Sequence, residues 1–225
     1  MNKPYIICYM MTSLDGRIDC AMTENLPGVE EYYKVVNELN LDGVISGRVT
    51  AELEIAEKGK FIPTTNDNVN KEVVSKKSHN KKCYEIITDT LGTLLWKDNN
   101  EYDDDILIIT SEKVNPEYLK YLDDKNISYI VTGKNKIDLK RATNILYDTF
   151  KLERLGVVGG AKINTAFLDE SLLDEVIILI GAGIDGRSSF PSVFESDNPR
   201  KLTKLKLIDV KKYESGGVLL KYKTK

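Results

Sequence analysis

The chain has 225 residues, of which 41% are hydrophobic and 30% are charged, and its formal net charge is -3. This length suits one large globular core, and the weakly negative charge offers no general attraction for nucleic acid. Three cysteines at unrelated spacings argue against a disulfide framework, and no apolar run is long enough for a signal peptide or a membrane span. We therefore expect a soluble, cytoplasmic protein that binds neither nucleic acid nor membrane and forms a single domain over residues 1–225.

Short apolar runs rich in Ile, Val and Tyr alternate along the chain with segments of helical spacing, a pattern typical of parallel strands joined by crossover helices. We predict strands near residues 4–10, 42–46, 84–88, 105–110, 128–132, 155–158, 175–180, 204–211 and 217–223. We predict helices near residues 28–40, 48–57, 115–125, 138–150 and 162–169. The last two strands alternate apolar and polar residues around "ESGG", which indicates an antiparallel hairpin. The expected fold is α/β, with a mixed, mostly parallel sheet flanked by helices and ending in that hairpin.

One long connection, residues 61–82, is polar and basic and shows no periodic pattern. Such a segment is either a mobile flap on the substrate side of a site or a plain solvated loop. The only histidine, His79, lies in it without partners at ligand spacing, so the sequence predicts no metal site.

The stretch "VVGGAKIN" places two glycines between a predicted strand and a predicted helix. The first N–H groups of a helix have no partner within it, and Gly159 and Gly160 let the backbone approach an anion such as a phosphate. The spacing is not that of a dinucleotide fingerprint or of a Walker A loop. A tight turn packed against a neighbouring element would need the same glycines, so both interpretations stay open.

A second strand-to-helix turn, "VISGRVTAE", adds Arg48 and Thr50 to a glycine. Such a set suits a phosphate that needs a charge-assisted partner, for example the 2′-phosphate or pyrophosphate of NADPH. An ordinary helix start with a surface arginine is the alternative.

Two further predicted strands end in small polar residues, in "IITDT" and "IITSE". Ligands of open parallel sheets gather beyond the carboxyl ends of the strands, so Thr88, Asp89, Thr110 and Ser111 are candidate contacts for the adenosine half of a nucleotide. The same residue types also start turns without any ligand.

The first strand ends in "MTSLDG", where Asp-Gly is a turn signal. Asp15, with Ser13 beside it, is our candidate for a group that orients a substrate or relays a proton.

The order of the motifs "SLDGRI", "SGRVTAE", "IITDTLGTL", "KIDLKRATNILYD", "VVGGAKIN" and "LLDEVIILIGAGIDG" resembles the reductase domain of riboflavin biosynthesis. That domain is the C-terminal half of a bifunctional deaminase-reductase and has a dihydrofolate-reductase-like fold. The resemblance covers nearly the whole chain and implies hydride transfer from NADPH to a small pyrimidine- or pterin-like heterocycle. The zinc signature of the fused deaminase is absent from the chain.

The resemblance also implies roles for individual residues. Those expected to contact the cofactor phosphates are Gly47, Arg48, Val49, Thr50, Val158, Gly159, Gly160 and Ala161. Thr88 and Asp89 match the segment near the 2′-phosphate, and Thr110 and Ser111 match the segment beside adenine.

The substrate half departs from the family pattern. Tyr9 stands where a lysine or asparagine is usual, and Val158 stands where a glutamate is usual. The segment "EKGKFIPTTNDNVN" replaces the one that grips the sugar phosphate, for which Lys58, Lys60 or Lys76 could substitute. Two alternatives therefore stay open: a reductase of another small carbonyl or imine compound, and a nucleotide-binding protein without turnover.

A homodimer is implied by the resemblance. The apolar strand in "EVIILIGAGI" also favours it, because an exposed edge of such a strand would invite pairing. Burial of that strand in the monomer is the alternative.

Overall fold

The structure of the chain is a computed structural model that describes residues 3–78 and 80–224. Its contacts divide the chain into two compact units. Of the described residues, unit 1 contains residues 3–4 and Asp42–Glu153, and unit 2 combines Tyr5–Leu41 with residues 154–224. His79, for which no metal site is predicted, lies outside the described residues.

Ten strands and six α-helices alternate along the described chain. The strands are β1 (Tyr5–Thr12), β2 (Gly43–Gly47), β3 (Val73–Ser75), β4 (Tyr84–Thr88), β5 (Asp105–Thr110), β6 (Ser128–Val131), β7 (Arg154–Gly159), β8 (Glu175–Ile180), β9 (Lys206–Lys212) and β10 (Val218–Lys223). The helices are α1 (Cys20–Thr23), α2 (Val29–Glu38), α3 (Arg48–Glu54), α4 (Pro116–Asp124), α5 (Leu139–Asp148) and α6 (Ala161–Asp169).

All nine predicted strands and all five predicted helices are confirmed, with boundaries that shift by a few residues. The sequence did not predict α1 and β3, which are short, or a 3-10 turn at Asn99–Glu101. No helix in the described part of the chain is both long and apolar enough to cross a membrane.

Unit 1 is a mostly parallel sheet with the strand order β3-β6-β5-β4-β2. The four strands from β6 to β2 are parallel, and only the short β3 runs antiparallel, against β6. All residues of β5 and β6 are buried, as the apolar sequences of central parallel strands require. The four parallel strands end at one common edge of the sheet, so the loops after β2, β4, β5 and β6 meet there.

The core of unit 1 is built around Trp96 and Tyr118, both of which are fully buried. The indole Nε1 of Trp96 donates to the Tyr118 hydroxyl at 3.0 Å, and that hydroxyl donates to the Leu94 carbonyl at 3.1 Å. Both polar atoms of this aromatic pair therefore have partners despite their burial, which avoids a desolvation penalty of about 1–3 kcal/mol for each. Helix α4 presents Tyr118 from a start that is capped by the Asn115 side chain.

Unit 2 is a mixed sheet with the strand order β7-β1-β8-β10-β9. Strands β7, β1 and β8 are parallel, and the C-terminal strands β10 and β9 are antiparallel, as the predicted hairpin requires. A core of Ile7, Tyr9, Val35, Leu179 and other apolar side chains joins β1 and β8 to helix α2.

The position of β8 corrects one prediction. β8 pairs with β1 on one side over Glu175–Ile180 and with β10 on the other side over the same residues. Its edge is therefore not exposed, because the C-terminal hairpin folds back against it. The exposed edge strand of unit 2 is β9 instead, and the edge argument for a homodimer that rested on β8 is wrong.

Residues 61–78 and 80–82 lie against the rest of unit 1 and are held at several points. Val73–Ser75 forms β3 against β6, and Glu117 of α4 accepts hydrogen bonds from the backbone N–H and hydroxyl of Thr64. Arg141 of α5 makes a bidentate ion pair with Glu72. The described residues of this segment are largely exposed to solvent, as predicted for a solvated loop, but they are anchored to the rest of unit 1.

Candidate functional site

The turn after β1 brings together the two residues predicted for substrate orientation. Ser13 is fully buried, and its hydroxyl donates to Asp15 Oδ1 at 2.7 Å. Asp15 also accepts the backbone N–H groups of Asp185 and Gly186, each at 2.9 Å. The carboxylate thus fastens the loop after β8 to the turn after β1.

These hydrogen bonds set the charge of Asp15. The Ser13 hydroxyl contributes most, followed by the N–H groups of Asp185 and Gly186, and together they hold the pKa of the Asp15 carboxyl well below its ordinary range. Asp15 is therefore ionised at neutral pH. It can accept a hydrogen bond or orient a polar group, but it does not hold a proton that it could donate.

A cavity of about 590 Å³ lies beside this turn, at the carboxyl end of β8. Its wall is mainly apolar, and Leu14, Ile180, Ala182, Ile184, Gly216 and Val218 contribute to it. The volume falls within the range of small-molecule pockets. The sequence did not mark these residues, because alternating small and apolar residues after a strand carry no chemical signal of their own.

The second glycine group of the chain, in "GAGIDG", has a packing function. A Cβ atom at Gly183 would lie 2.5 Å from a methyl carbon of Leu26, and one at Gly181 would lie 2.9 Å from Leu26. Real Cβ atoms do not approach carbon so closely, so a side chain at either position would require Leu26 to shift. Here the packing interpretation of a glycine pair applies.

The double glycine after β7 is different, since space is available there. Gly159 has a φ of 131°, which side chains rarely adopt, but a Cβ atom would meet only Met10 Cε at an ordinary 3.5 Å. The Gly159-Gly160 peptide bond is cis. Helix α6 starts at Ala161 without a side-chain cap, and its N-cap residue is Gly160. Of the other predicted contacts here, Val158 is half-buried and Ala161 is buried.

An uncapped start distinguishes α6 from the helices of unit 1 that begin with polar residues. Asn115 caps α4 and Asp138 caps α5, each by accepting a backbone N–H bond. No side chain fills that role at α6, and its first N–H groups carry the partial positive charge of a helix start. The turn at Gly159–Ala161 thus has the bare backbone and the uncapped helix start on which the phosphate interpretation of the sequence rests.

The turn after β2 also begins a helix, α3, with a glycine and no side-chain cap. Arg48 is partly exposed, and its Nη1 lies 2.6 Å from Glu52 Oε2 within the same helix. Val49 is exposed and Thr50 is half-buried. The guanidinium can reach solvent, so it remains able to contact an anion at the carboxyl end of β2.

The predicted residues after β4 and β5 lie next to each other, as expected of neighbouring parallel strands, but their side chains are buried and bonded to the fold. Thr88 donates to the carbonyl of Ser46, and the hydroxyls of Thr110 and Ser111 both donate to the carbonyl of Thr90. The Thr90 carbonyl thus ties the loop after β4 to β5.

Asp89 holds the loop that follows β4. Its Oδ2 accepts the backbone N–H groups of Thr93 at 2.6 Å and Leu94 at 2.9 Å, and the Thr93 hydroxyl also lies within hydrogen-bond distance. The side chain is 1% exposed. The resemblance places Asp89 near the 2′-phosphate, which a carboxylate would repel, but in the structure this carboxylate is directed into its own loop.

The departures on the substrate side have structural explanations. Tyr9 is fully buried, its ring stacks on that of Tyr32 at 4.6 Å, and its hydroxyl donates to the Tyr32 carbonyl. Burial, as the largest cause, raises the pKa of the Tyr9 hydroxyl. All three lysines suggested as a substitute grip are exposed, and Lys76 donates to the Thr149 carbonyl.

Among residues 3–78 and 80–224, no three Asp, Glu, Cys or His side chains are grouped so that they could hold a metal ion.

Comparison with known proteins identifies the chain's relatives. The family model described as "RibD C-terminal domain" matches residues 4–219. A 2,5-diamino-6-ribosylamino-4(3H)-pyrimidinone 5′-phosphate reductase from Aquifex aeolicus is 24% identical over 214 residues, which covers 91% of this chain and 88% of the relative. The riboflavin biosynthesis protein RibD of Chlamydia muridarum is 23% identical over 194 residues, or 84% of this chain, which spans only 49% of that longer protein.

Solved structures share the fold at low sequence identity. A pyrimidine reductase-like protein from Corynebacterium diphtheriae matches with a TM-score of 0.73 and 18% identity, covering 98% of this chain and 91% of that one. The riboflavin biosynthesis reductase Rib7 of Saccharomyces matches with a TM-score of 0.63 and 19% identity, covering 99% of this chain and 91% of that one. The predicted α/β fold with its C-terminal hairpin is thus confirmed. With the family model matching almost its entire length, the chain belongs to the RibD C-terminal domain family.

Proposed function

We propose that the chain is an NADPH-dependent oxidoreductase that reduces a pyrimidine carrying a ribosylamino phosphate. The turn at Gly159–Ala161 carries this proposal, because its backbone is bare, its helix start is uncapped and it lies in the matched family region. The family match runs across both units, which supports one reductase domain over residues 1–225.

In this proposal the reduced nicotinamide supplies the hydride, and the chain supplies binding and orientation. The N–H groups at the start of α6 bind a cofactor phosphate, and Arg48 with Gly47, Val49 and Thr50 contributes a second anion contact. Thr88, Asp89, Thr110 and Ser111 shape the sheet edge for the adenosine half through their own internal bonds.

Asp15 is proposed to orient the heterocycle. Its carboxylate is ionised and fixed by Ser13 and by the loop after β8, and the apolar cavity beside Leu14 could take a flat ring. The residues offer no proton donor at Asp15, so the proton of the reduction comes from another group or from water.

The buried Tyr9 favours a second candidate, a reductase of another small carbonyl or imine compound. A side chain directed into the core cannot contact a substrate where the family usually has a lysine or asparagine. Loss of NADPH absorbance with a panel of pyrimidines, pterins and simple carbonyl compounds separates the two candidates. NADPH binding without turnover of any of them would support the non-catalytic alternative instead.

The proposal includes a homodimer and a cytoplasmic location. The homodimer was implied by the family resemblance. The cytoplasmic location is supported by the odd number of cysteines, which suits a reducing compartment.

Gly159→Ala tests the cofactor site. A methyl group on a residue with positive φ costs about 1 kcal/mol of stability, and at Gly159 it also lies on the backbone that is proposed to bind phosphate. We expect NADPH affinity, measured by calorimetric titration, to fall more than tenfold.

Gly28→Ala is the matched control. Gly28 has a φ of 111°, is also the N-cap of a helix, and places its Cβ 3.6 Å from a methionine Cε, Met11. It should lose similar stability while NADPH affinity changes less than threefold. Equal NADPH affinities for the two variants would show that the double glycine is not part of the cofactor site.

A further inference from the structure

The loop after β8 contacts the turn after β1 at a second place, further along the chain. The side chain of Arg17 donates from Nη1 to the Phe190 carbonyl at 2.7 Å. The backbone N–H of Ile18 donates to the Pro191 carbonyl at 3.2 Å, and Arg17 forms an isolated antiparallel bridge with Ser192. This part of the loop is half-buried, whereas the stretches on either side of it are exposed.

Arg17 is also joined to Asp15 through the backbone. Its N–H donates to the Ser13 hydroxyl at 3.1 Å, and that hydroxyl donates to Asp15 Oδ1 at 2.7 Å. A hydroxyl has a single proton, so the Ser13 oxygen accepts from the backbone while its proton is directed at the carboxylate. The loop held by the Arg17 side chain carries the N–H groups of Asp185 and Gly186, which the same carboxylate accepts. Arg17 therefore contacts both sources of the hydrogen bonds that fix Asp15.

The charge of Arg17 has no carboxylate partner among the described residues. Asp19 and Asp185 lie in the same turn and loop, but both pair with Arg187, at 2.7 and 2.5 Å. Asp15 is occupied by the hydrogen bonds described above, which lower the pKa of its carboxyl. The Nε atom of Arg17 is buried and donates to none of the described residues. An unpaired buried donor costs stability, so stability alone does not account for an arginine at this position.

A second buried side chain holds the same part of the loop from helix α6. Asn164 is fully buried, and its Nδ2 donates to the Val193 carbonyl at 2.8 Å. Its backbone N–H donates to the Gly160 carbonyl, in the first turn of the helix. Its Oδ1 is buried and accepts no hydrogen bond from the described residues. Residues 190–193 are therefore held between the turn after β1 and the start of α6.

We propose that Arg17 is a positioning residue for Asp15. By holding residues 190–193 on the turn after β1, it keeps the loop after β8 where its N–H groups bind the Asp15 carboxylate, and Asn164 supports the same segment from α6. A carboxylate can orient a ligand only if the groups that fix it are themselves held in place. The inference rests on the proposed role of Asp15 in orienting the heterocycle, but its main test needs neither substrate nor cofactor.

Titration of the Asp15 carboxyl tests the inference, because loss of donors to a carboxylate raises its pKa. Carbon-13 NMR follows the carboxyl signal, which is assigned by comparison with Asp15→Asn. In the native chain the carboxyl should stay ionised to the lowest pH at which the chain is folded. In Arg17→Met, which removes the donor but keeps an unbranched side chain, the midpoint should move by at least about one pH unit toward the ordinary aspartate value. Arg17→Lys keeps a cationic donor and should restore most of the native behaviour.

Arg200→Met is the matched control, since Arg200 lies on the same loop but pairs with Asp169 at the end of α6. It should leave the titration of Asp15 unchanged. Asn164→Leu releases the segment from α6 and should move the titration in the same direction as Arg17→Met, so it supplies the test if circular dichroism shows that Arg17→Met does not fold. A native titration in both variants would overturn the inference, and so would an equal change in Arg200→Met.

Enzyme kinetics separates this inference from the proposed reaction. If Asp15 orients the heterocycle, Arg17→Met should raise the KM for the phosphorylated pyrimidine of that reaction at least threefold, while NADPH affinity stays unchanged. A shifted titration with unchanged kinetics would support Arg17 as a positioning residue and overturn the proposed role of Asp15. A raised KM with a native titration would overturn the positioning by Arg17 and leave the proposed reaction standing.

Discussion

Two sets of strand ends in this protein are built in opposite ways. After β4 and β5 of unit 1, the side chains of Thr88, Asp89, Thr110 and Ser111 are buried and bond to the loops of their own sheet. After β7 of unit 2, the turn at Gly159–Ala161 has almost no side chain, and the helix that follows is left uncapped.

The first set of side chains holds its own loops in place, whereas the second presents backbone groups that a ligand could contact. Where side chains hold a loop, substitution should mainly change stability. Where the backbone itself is presented, substitution should mainly change ligand affinity. Polar residues at a strand end therefore indicate the position of a site. They do not show which atoms contact the ligand.

Asp89→Ala should give the largest stability effect. It leaves the buried N–H groups of Thr93 and Leu94 without an acceptor, which we expect to lower the free energy of unfolding by about 3 kcal/mol. Urea unfolding followed by circular dichroism measures this. NADPH affinity of the folded variant should change less than threefold.

The control for Asp89 is Asp98→Ala, which removes an aspartate that accepts the backbone N–H of Asn100 at the start of a short 3-10 turn. Its loss should be about 1 kcal/mol, the usual value for a helix cap. If Asp89→Ala kept full stability and lost tenfold in NADPH affinity, Asp89 would be a ligand contact, and the two sets of strand ends would not differ in function.

Arg48→Ala sharpens the comparison, because Arg48 is the one basic side chain of unit 1 predicted to contact the cofactor. We expect a tenfold loss of NADPH affinity, about 1.4 kcal/mol, with less than a threefold loss for NADH. Glu52→Ala breaks the same surface ion pair but keeps the guanidinium, and it should not weaken NADPH binding. Equal losses for NADPH and NADH would show that Arg48 does not contact the 2′-phosphate.

Asp15→Asn should give the smallest effect, visible through its pH dependence. The pKa of the Asp15 carboxyl is lowered in the folded chain by the Ser13 hydroxyl and two backbone N–H groups. A lowered carboxyl pKa stabilises the fold above the unfolded pKa of about 4, and this contribution is lost as the pH falls below it. The difference in unfolding midpoint between native and variant chains should therefore be present at neutral pH and shrink in acid. A difference that is constant across this range would mean that the ionised carboxylate contributes nothing.

Most of the fold could be predicted because its central parallel strands are buried on both faces and appear as continuous apolar runs. The run "ILIIT" of β5 is an example, whereas β3 is only three residues long and lies in a polar segment. The order of strands in a sheet is not visible in such runs. That is why the sequence suggested an exposed edge at β8, which β10 covers.

The positions of the candidate site residues could also be predicted, but the directions of their side chains could not. "TDT" identifies a polar strand end, yet nothing in it shows that Asp89 bonds to Thr93 and Leu94 rather than to a ligand. The two glycine groups likewise look similar in sequence. Only the position of Leu26 shows that Gly183 packs closely against a side chain, whereas Gly159 has space around it.

Trp96 offers a practical benefit. It is the only tryptophan of the chain, and it is fully buried in unit 1 with its indole bonded to Tyr118. Its fluorescence emission will therefore report the unfolding of unit 1 alone, by a red shift when the indole meets water. Far-ultraviolet signals average over both units, so one sample contains an optical test of whether the two halves melt together or in turn.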